Sequence, residues 1–138
     1  MTADALIREL GLLPHPEGGH FAETWRGPEG QDGRAVGTAI YFLLAEGERS
    51  HWHRVDATEI WHFHAGDPLT LRIAADGLPV KHLVGPDVAA GQEPQVTVPT
   101  HAWQSAETTG DWTLVSCTVS PGFDFNGFEL APPGWDPA

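Results

Sequence analysis

The sequence predicts an all-β domain of many short strands, and three observations point there. Gly and Pro are frequent, 16 and 12 of 138 residues, and such dense backbone punctuation speaks against a helical bundle. Stretches of β-branched and aromatic residues alternate with turn signals at short intervals, the pattern of a sandwich, jelly roll or barrel. Hydrophobic residues make up 41% of the chain, with six Trp and six Phe, which is enough for a core and excludes a disordered acidic tail. The length suits one domain spanning 1–138, with an N-terminal helix within 1–13 and the strands within 14–138.

The first segment reads as the one helix. Thr2 can cap it, Leu6, Ile7 and Leu10 recur on one face, and Gly11 followed by Pro14 stops it. Pro14 to Gly19, PHPEGG, is a stiff turn-rich connection expected to cross the surface or a cavity mouth. From there strand follows strand. Thr38 to Leu44 consists almost wholly of β-formers and is expected to be buried on both faces. Residues 51–54 and 58–64 form the next two strands, and Leu69, Leu71 and Ile73 alternate with polar residues. Asp76-Gly77 signals a hairpin into Val80–Val84. Further strands are expected over Gln95–Val98, about Ala102–Glu107 and Trp112–Val119. The C-terminal segment, carrying Phe123, Phe125 and Phe128, reads as an ordered loop and short strand laid against the barrel.

Charge and composition exclude several functions. A net charge of -12 repels phosphate backbones and disfavours nucleic acid as a partner. No apolar run approaches the ~18–20 residues that span a bilayer, so no membrane partner is expected. The start lacks a basic n-region and an apolar h-region, and the single Cys117 cannot form an intrachain disulfide. A cytoplasmic protein is the simplest expectation. No Gly-x-Ser-x-Gly elbow and no phosphate-cradling Gly loop occurs, so no nucleotide cofactor is expected. Cys117 lies within the apolar run Leu114 to Thr118 and reads as a buried small hydrophobe, not a nucleophile.

The densest chemical signal is Ser50-His51-Trp52-His53 with Glu59 six residues on. Residues two apart on a strand share a face, so His51 and His53 are expected to point one way, with Glu59 alongside from the next strand. Two imidazoles and a carboxylate form a plausible divalent-metal set. The alternative is a polar, solvated strand face. His62 and His64 have the opposite parity to Glu59, Trp61 and Phe63, and are read as packing or hydrogen-bonding residues of a second layer. Tyr41, Trp61, Phe63, Trp103, Phe123 and Phe125 are candidates for an apolar pocket wall, although single large rings more often fill the core. Arg26 is a candidate cation for an anionic ligand, with a surface role as the alternative.

The run Gly47-x3-His51-x-His53-x5-Glu59-x6-Gly66 resembles the first conserved motif of the cupin superfamily, G(X)5HXH(X)3–4E(X)6G, with a shorter first gap and a slightly longer one before Glu59. Gly91-x7-Pro99-Thr100-His101-Ala102-Trp103-Gln104 resembles the second, G(X)5PXG(X)2H(X)3N. Here His101 stands in place of Gly, and Gln104 in place of the fourth metal ligand, a His. The segments LGLLPHPEGGHFAETWR, IYFLL, SHWHRVDATEIWHFHAGDPL, VPTHAWQSAE and CTVSPGFDFNGFELA are similar to the cupin family DUF985, or Cupin_5.

The resemblance implies a cupin double-stranded β-helix, a jelly-roll barrel with one short N-terminal helix, a small-molecule ligand inside the barrel, and a homodimer. It places His51, His53, Glu59 and Gln104 at metal-ligand positions, for Fe, Ni, Mn or Zn. Gln104 can instead hydrogen-bond a substrate in a metal-free site. Metal-free sugar epimerases of similar fold work through a His general base, and by that analogy His53 abstracts a proton beside a carbonyl while Glu59 orients it. The function expected is an isomerase, epimerase or lyase acting on a sugar-like or carbonyl-containing metabolite. The alternatives are a non-catalytic binding or sensing module and a metal-dependent dioxygenase.

Overall fold

The strand Trp112–Ser120 runs antiparallel between Thr38–Ala45 on one side and Thr58–Gly66 on the other, and this triplet is the spine of the molecule. The computed structural model describes residues 1–137. In chain order the elements are α1 (Ala3–Leu10), β1 (Leu13–Pro14), β2 (His20–Arg26), β3 (Thr38–Ala45), β4 (Ser50–Val55), β5 (Thr58–Gly66), β6 (Leu69–Ala74), β7 (Val80–Val84), β8 (Gln95–Val98), β9 (Trp103–Thr108), β10 (Trp112–Ser120) and β11 (Phe128–Leu130). They form two antiparallel sheets, ordered β1-β2-β3-β10-β5-β8 and β11-β4-β9-β6-β7. Consecutive strands β4 and β5 lie in different sheets, as do β8 and β9, so the chain passes repeatedly between layers, as a jelly roll requires. The expected strands are present with ends shifted by a residue or two. β1 and β2 flank the Pro14–Gly19 turn region without a distinct alternation to announce them.

Alternation along each strand decides which side chains meet between the sheets. Phe42 and Leu44 of β3, Trp61 of β5, Leu69 and Leu71 of β6, Val84 of β7, Val96 and Val98 of β8, Ala106 of β9, and Val115 and Cys117 of β10 point inward into one cluster. Burying each large apolar side chain contributes roughly 1.5–3 kcal/mol. The opposite parity of β3 and β10 presents Leu43 and Leu114 outward, where Leu6, Ile7 and Leu10 of α1 cover them. The Thr2 hydroxyl accepts from Ala5 N at 3.1 Å, and Gly11 closes the helix with a left-handed φ of 65°. Among the described residues no helix is long and apolar enough to cross a membrane.

Apolar packing fills only one end of the space between the sheets. Toward the start of β3 and β5 and the end of β4 and β10, the inward positions become Thr38, Ile40, Val55, Glu59 and Val119, and these border a cavity of about 370 Å³.

Candidate functional site

Three segments bring polar groups to this cavity. β4 contributes His53 and β5 contributes Glu59, as the sequence suggests. The third is the Pro14–Gly19 strap, which does more than cross the mouth: His15 and Glu17 point into the cavity. The strap is tied to β4 by the His51 N–H, which donates to the Glu17 carbonyl at 2.9 Å. It also needs Gly18. That residue sits at φ 113°, and a Cβ there would lie 1.9 Å from the Arg49 carbonyl oxygen.

The remaining wall is apolar and comes partly from the C-terminal loop. Phe21 of β2 and Phe123 and Phe125 line the cavity, with Arg26, Glu23 and Asp124 also on its lining. The loop is held from several sides. Phe123 N donates to Thr38 Oγ1 at 2.9 Å, Arg34 Nε donates to the Gly122 carbonyl at 2.6 Å, and the Arg34 guanidinium grips Asp56 through both terminal nitrogens at 3.0 and 2.8 Å. Arg26 is bidentate to Glu23 and donates to the Phe123 carbonyl at 3.3 Å, so its charge is already engaged.

Hydrogen bonds define the protonation pattern inside. The His53 Nδ1 lies 2.8 Å from the His51 carbonyl. A carbonyl can only accept, so Nδ1 carries the proton and neutral His53 keeps its lone pair on Nε2. His53 is 2% exposed, and burial lowers its pKa, partly opposed by the charge of Glu59 and the bond to His51. The His15 Nδ1 accepts the Glu17 backbone N–H at 3.1 Å, which fixes the opposite tautomer. Burial, reinforced by His53, lowers the His15 pKa to about 4.

Glu17, its side chain 9% exposed, has its pKa raised by burial to about 8, although the Ser50 hydroxyl donates to its Oε2. Its Oε2 is 3.3 Å from His53 Nδ1 and its Oε1 is 3.4 Å from His15 Nδ1. With Glu17 protonated and both imidazoles neutral at pH 7, neither contact is an ion pair. Glu59 is 7% exposed. Burial raises its pKa to about 7, opposed by His53, reinforced by Glu17 and opposed by the bonds from Gln104 and Cys117. The site thus holds two carboxyls and two imidazoles whose burial drives all four toward their neutral forms.

Gln104 reaches this cluster from behind. Trp61 Nε1, which can only donate, reaches Gln104 Oε1 at 2.8 Å, and Gln104 Nε2 donates to Glu59 Oε1 at 2.8 Å. The indole therefore sets the amide orientation, and the amide holds one oxygen of Glu59 as an acceptor. Both ends of the amide are occupied, and Gln104 is not on the cavity lining.

His51 departs from the sequence expectation. A register irregularity lies between Ser50 and His53 in the β4–β9 pairing, so simple alternation fails there. The His51 Nε2 lies 2.9 Å from the Pro132 carbonyl, on the C-terminal segment, and His51 does not border the cavity. The four expected metal donors thus do not converge: His51 faces the C-terminal segment and Gln104 is spent on Trp61 and Glu59. Among the described residues no group of three or more His, Cys, Asp or Glu is arranged to hold a metal ion. The donor set does not fit a resident metal.

Of the expected pocket wall, Phe123 and Phe125 line the cavity, and Trp61, Phe63, Tyr41 and Trp103 do not. Trp61 is a core residue, with Phe63 packed beside it. Tyr41 points outward toward His64, and Trp103 packs with Trp135 under the C-terminal segment. His62 and His64 lie on the outer face as their parity predicts, against Thr118 and Ser116 of β10. Cys117 is buried and borders the cavity beside Glu59, its pKa pushed up by burial and by the carboxyls. Sequence reasoning missed His15 and Glu17. Their signal was available, since two polar side chains sit inside a stiff Pro/Gly turn that has no other need of them.

The comparisons agree with the fold. A protein of Shewanella oneidensis is 41% identical, with a TM-score of 0.90 over 95% of this chain and 85% of that one. A hypothetical protein from Leishmania major is 36% identical, with a TM-score of 0.88 over 95% and 88%. The oxalate decarboxylase of B. subtilis is 14% identical with a TM-score of 0.65, over 86% of this chain and 29% of that one, and shares the fold alone. No protein of curated function matches. The family model described as Cupin superfamily (DUF985) matches residues 4–131, and the chain belongs to that family.

Proposed function

We propose that the cavity catalyses proton transfer beside a carbonyl group, in an isomerase, epimerase or lyase reaction on a small carbonyl-containing or sugar-like metabolite. One observation carries this reading. An imidazole with its lone pair on Nε2 lines the same cavity as a carboxyl that burial holds protonated at neutral pH. Such a pair supplies base and acid in the same site at the same pH.

In the proposed step His53 Nε2 takes the proton from the carbon next to the carbonyl, breaking C–H and forming N–H. The electron pair moves onto the carbonyl oxygen, and Glu17, neutral at pH 7, donates its proton there to give an enol. Glu59, held by Gln104 and with a pKa of about 7, is in its ionised form the counter-charge for the imidazolium. Return of the proton to the neighbouring carbon gives an isomerase, return to the opposite face an epimerase, and loss of a β-substituent a lyase.

The test is solvent exchange. Ketoses, aldoses and 2-oxo acids incubated with the protein in deuterated buffer are read by proton NMR for loss of the α-hydrogen signal. The wild-type protein is expected to exchange at least one class of compound, and His53→Asn to lower that rate by ~10²–10⁴, with the fold unchanged by circular dichroism. Exchange at the wild-type rate in both His53→Asn and Glu17→Gln contradicts the assignment.

A further inference from the structure

We propose a second binding site, for a compact oxyanion such as phosphate or a short dicarboxylate, in the groove on the outer face of the second sheet. The chain has only seven Lys and Arg, yet Arg49, Arg72 and Lys81 all line this groove of about 410 Å³, together with Trp52, Pro79, Glu107 and Asp136.

The strand register accounts for the convergence. Leu71 and Ile73 of β6 point inward, so Arg72 points outward, and it pairs directly with Lys81 of β7. Like charges directly opposite across a sheet destabilise it, and only part of that cost is met here. Arg72 Nη1 donates to Glu107 at 2.9 Å, whereas the Lys81 ammonium has no hydrogen bond or ion pair among the described residues. On its other flank Arg72 pairs with Ser105 of β9, and Arg49 Nη2 reaches the Ser105 hydroxyl at 3.4 Å. Three cations are thereby gathered around one stretch of sheet.

Trp52 supplies the second observation. It lines the same groove, is 2% exposed, and its Nε1 is a buried donor without a partner among the described residues. Buried donors are nearly always satisfied, so an orphaned indole N–H on a residue that lines the same groove as Arg49, Arg72 and Lys81 marks a wall where an acceptor belongs once a ligand seats there. The net charge of -12 does not forbid an anion there, because at physiological salt charges beyond ~8 Å are largely screened and the ligand responds to its immediate neighbours. Set against the carboxylates of Glu107, already bonded to Arg72, and Asp136, the two guanidiniums and the ammonium leave one net positive charge, and their N–H donors favour a compact oxyanion over a halide.

The groove and the interior cavity lie on opposite faces of β4, which carries Trp52 outward and His53 inward, but the proposal does not depend on the cavity's chemistry. It is tested by following the Trp52 indole N–H in ¹⁵N spectra, assigned through Trp52→Phe, while inorganic phosphate, malonate or chloride is added at matched ionic strength. The expected result is a saturable shift with phosphate, malonate or both, with a dissociation constant in the millimolar range, and none with chloride. Lys81→Gln is expected to weaken binding at least fivefold, and Arg49→Gln/Lys81→Gln to remove saturation. Which of the two anions binds distinguishes a phosphate ligand from a dicarboxylate. Equal responses to all three anions, no response to any, or affinity unchanged within twofold in the double variant overturns the proposal.

Discussion

The two ends of the barrel interior are built from the same strands and do opposite things. On β5, Trp61 enters the packed end and Glu59, two residues earlier, enters the open end. On β10, Val115 belongs to the core and Val119 to the cavity wall. Strand alternation carries both residues of each pair to the interior without distinguishing the ends. The difference comes from what caps each end. The packed end is closed by apolar side chains from β6, β7 and β8, whereas the open end meets the Pro14–Gly19 strap, which brings His15 and Glu17, and the C-terminal loop, which brings Phe123 and Phe125. The junction between them is the Trp61–Gln104–Glu59 chain of hydrogen bonds, through which a core indole holds a cavity carboxyl.

This contrast can be broken first through pH. Glu17 has a folded pKa of about 8 against 4.5 when exposed. Between those values the unfolded chain has released a proton that the folded protein retains, so stability falls as pH rises from about 4.5 to 8. Glu17→Gln removes this dependence and is expected to gain on the order of 4 kcal/mol relative to wild type at pH 8, and little at pH 4. His15, with its pKa lowered to about 4, acts in the other direction. Its contribution is lost as pH falls from about 6.5 to 4, whereas Glu59, raised to about 7 partly by Glu17, acts in the same direction as Glu17, so the wild-type minus Glu17→Gln difference reports Glu17 together with its effect on Glu59. Denaturant unfolding across that range measures it.

Cavity formation sharpens the comparison next. Leu71, fully buried in the packed end, is expected to cost about 3 kcal/mol on truncation to Ala, because a new void opens among side chains that cannot collapse. Val119→Ala enlarges a cavity that already exists and should cost only about 1.5 kcal/mol, the transfer of the two lost methyl groups. Similar losses from both variants in thermal unfolding would mean that the open end is packed as tightly as the other. The smallest effect lies outside both ends. His101 has a φ of 68°, the left-handed region that non-glycine residues occupy at a cost of roughly 1 kcal/mol. His101→Gly is expected to recover up to about 1 kcal/mol in the same assay.

Much of the fold was legible because it rests on alternation, which a sequence shows directly. Nearly every strand from Thr38 onward follows from it. The parity that sends Glu59 inward and His62 and His64 outward also follows. Part of the site was legible for the same reason, since His53 and Glu59 reach the cavity from their strands, while Phe123 and Phe125, also on its lining, were signalled only by the aromatic character of the C-terminal loop. His51 was misread because a register irregularity in β4 interrupts alternation without an obvious local signal. Tyr41, Trp61, Phe63 and Trp103 were misread as pocket wall because aromatic character does not reveal which end of a barrel a ring occupies. His15 and Glu17 were missed because their placement depends on a non-repetitive turn, whose course is fixed by Gly18 against the Arg49 carbonyl and not by any periodic pattern. His101 had its clue in the sequence. It replaces a motif glycine and still adopts the glycine conformation.

The central claim is that the open end keeps Glu17 as a neutral acid beside a neutral His53. Carbon-13 NMR of the Glu17 side-chain carboxyl, labelled in the intact protein and assigned through Glu17→Gln, tests it directly. The account predicts a carboxyl resonance in its protonated position at pH 6, titrating with a midpoint near 8. A resonance already in the ionised position at pH 6 would contradict it and leave His53 without its acid.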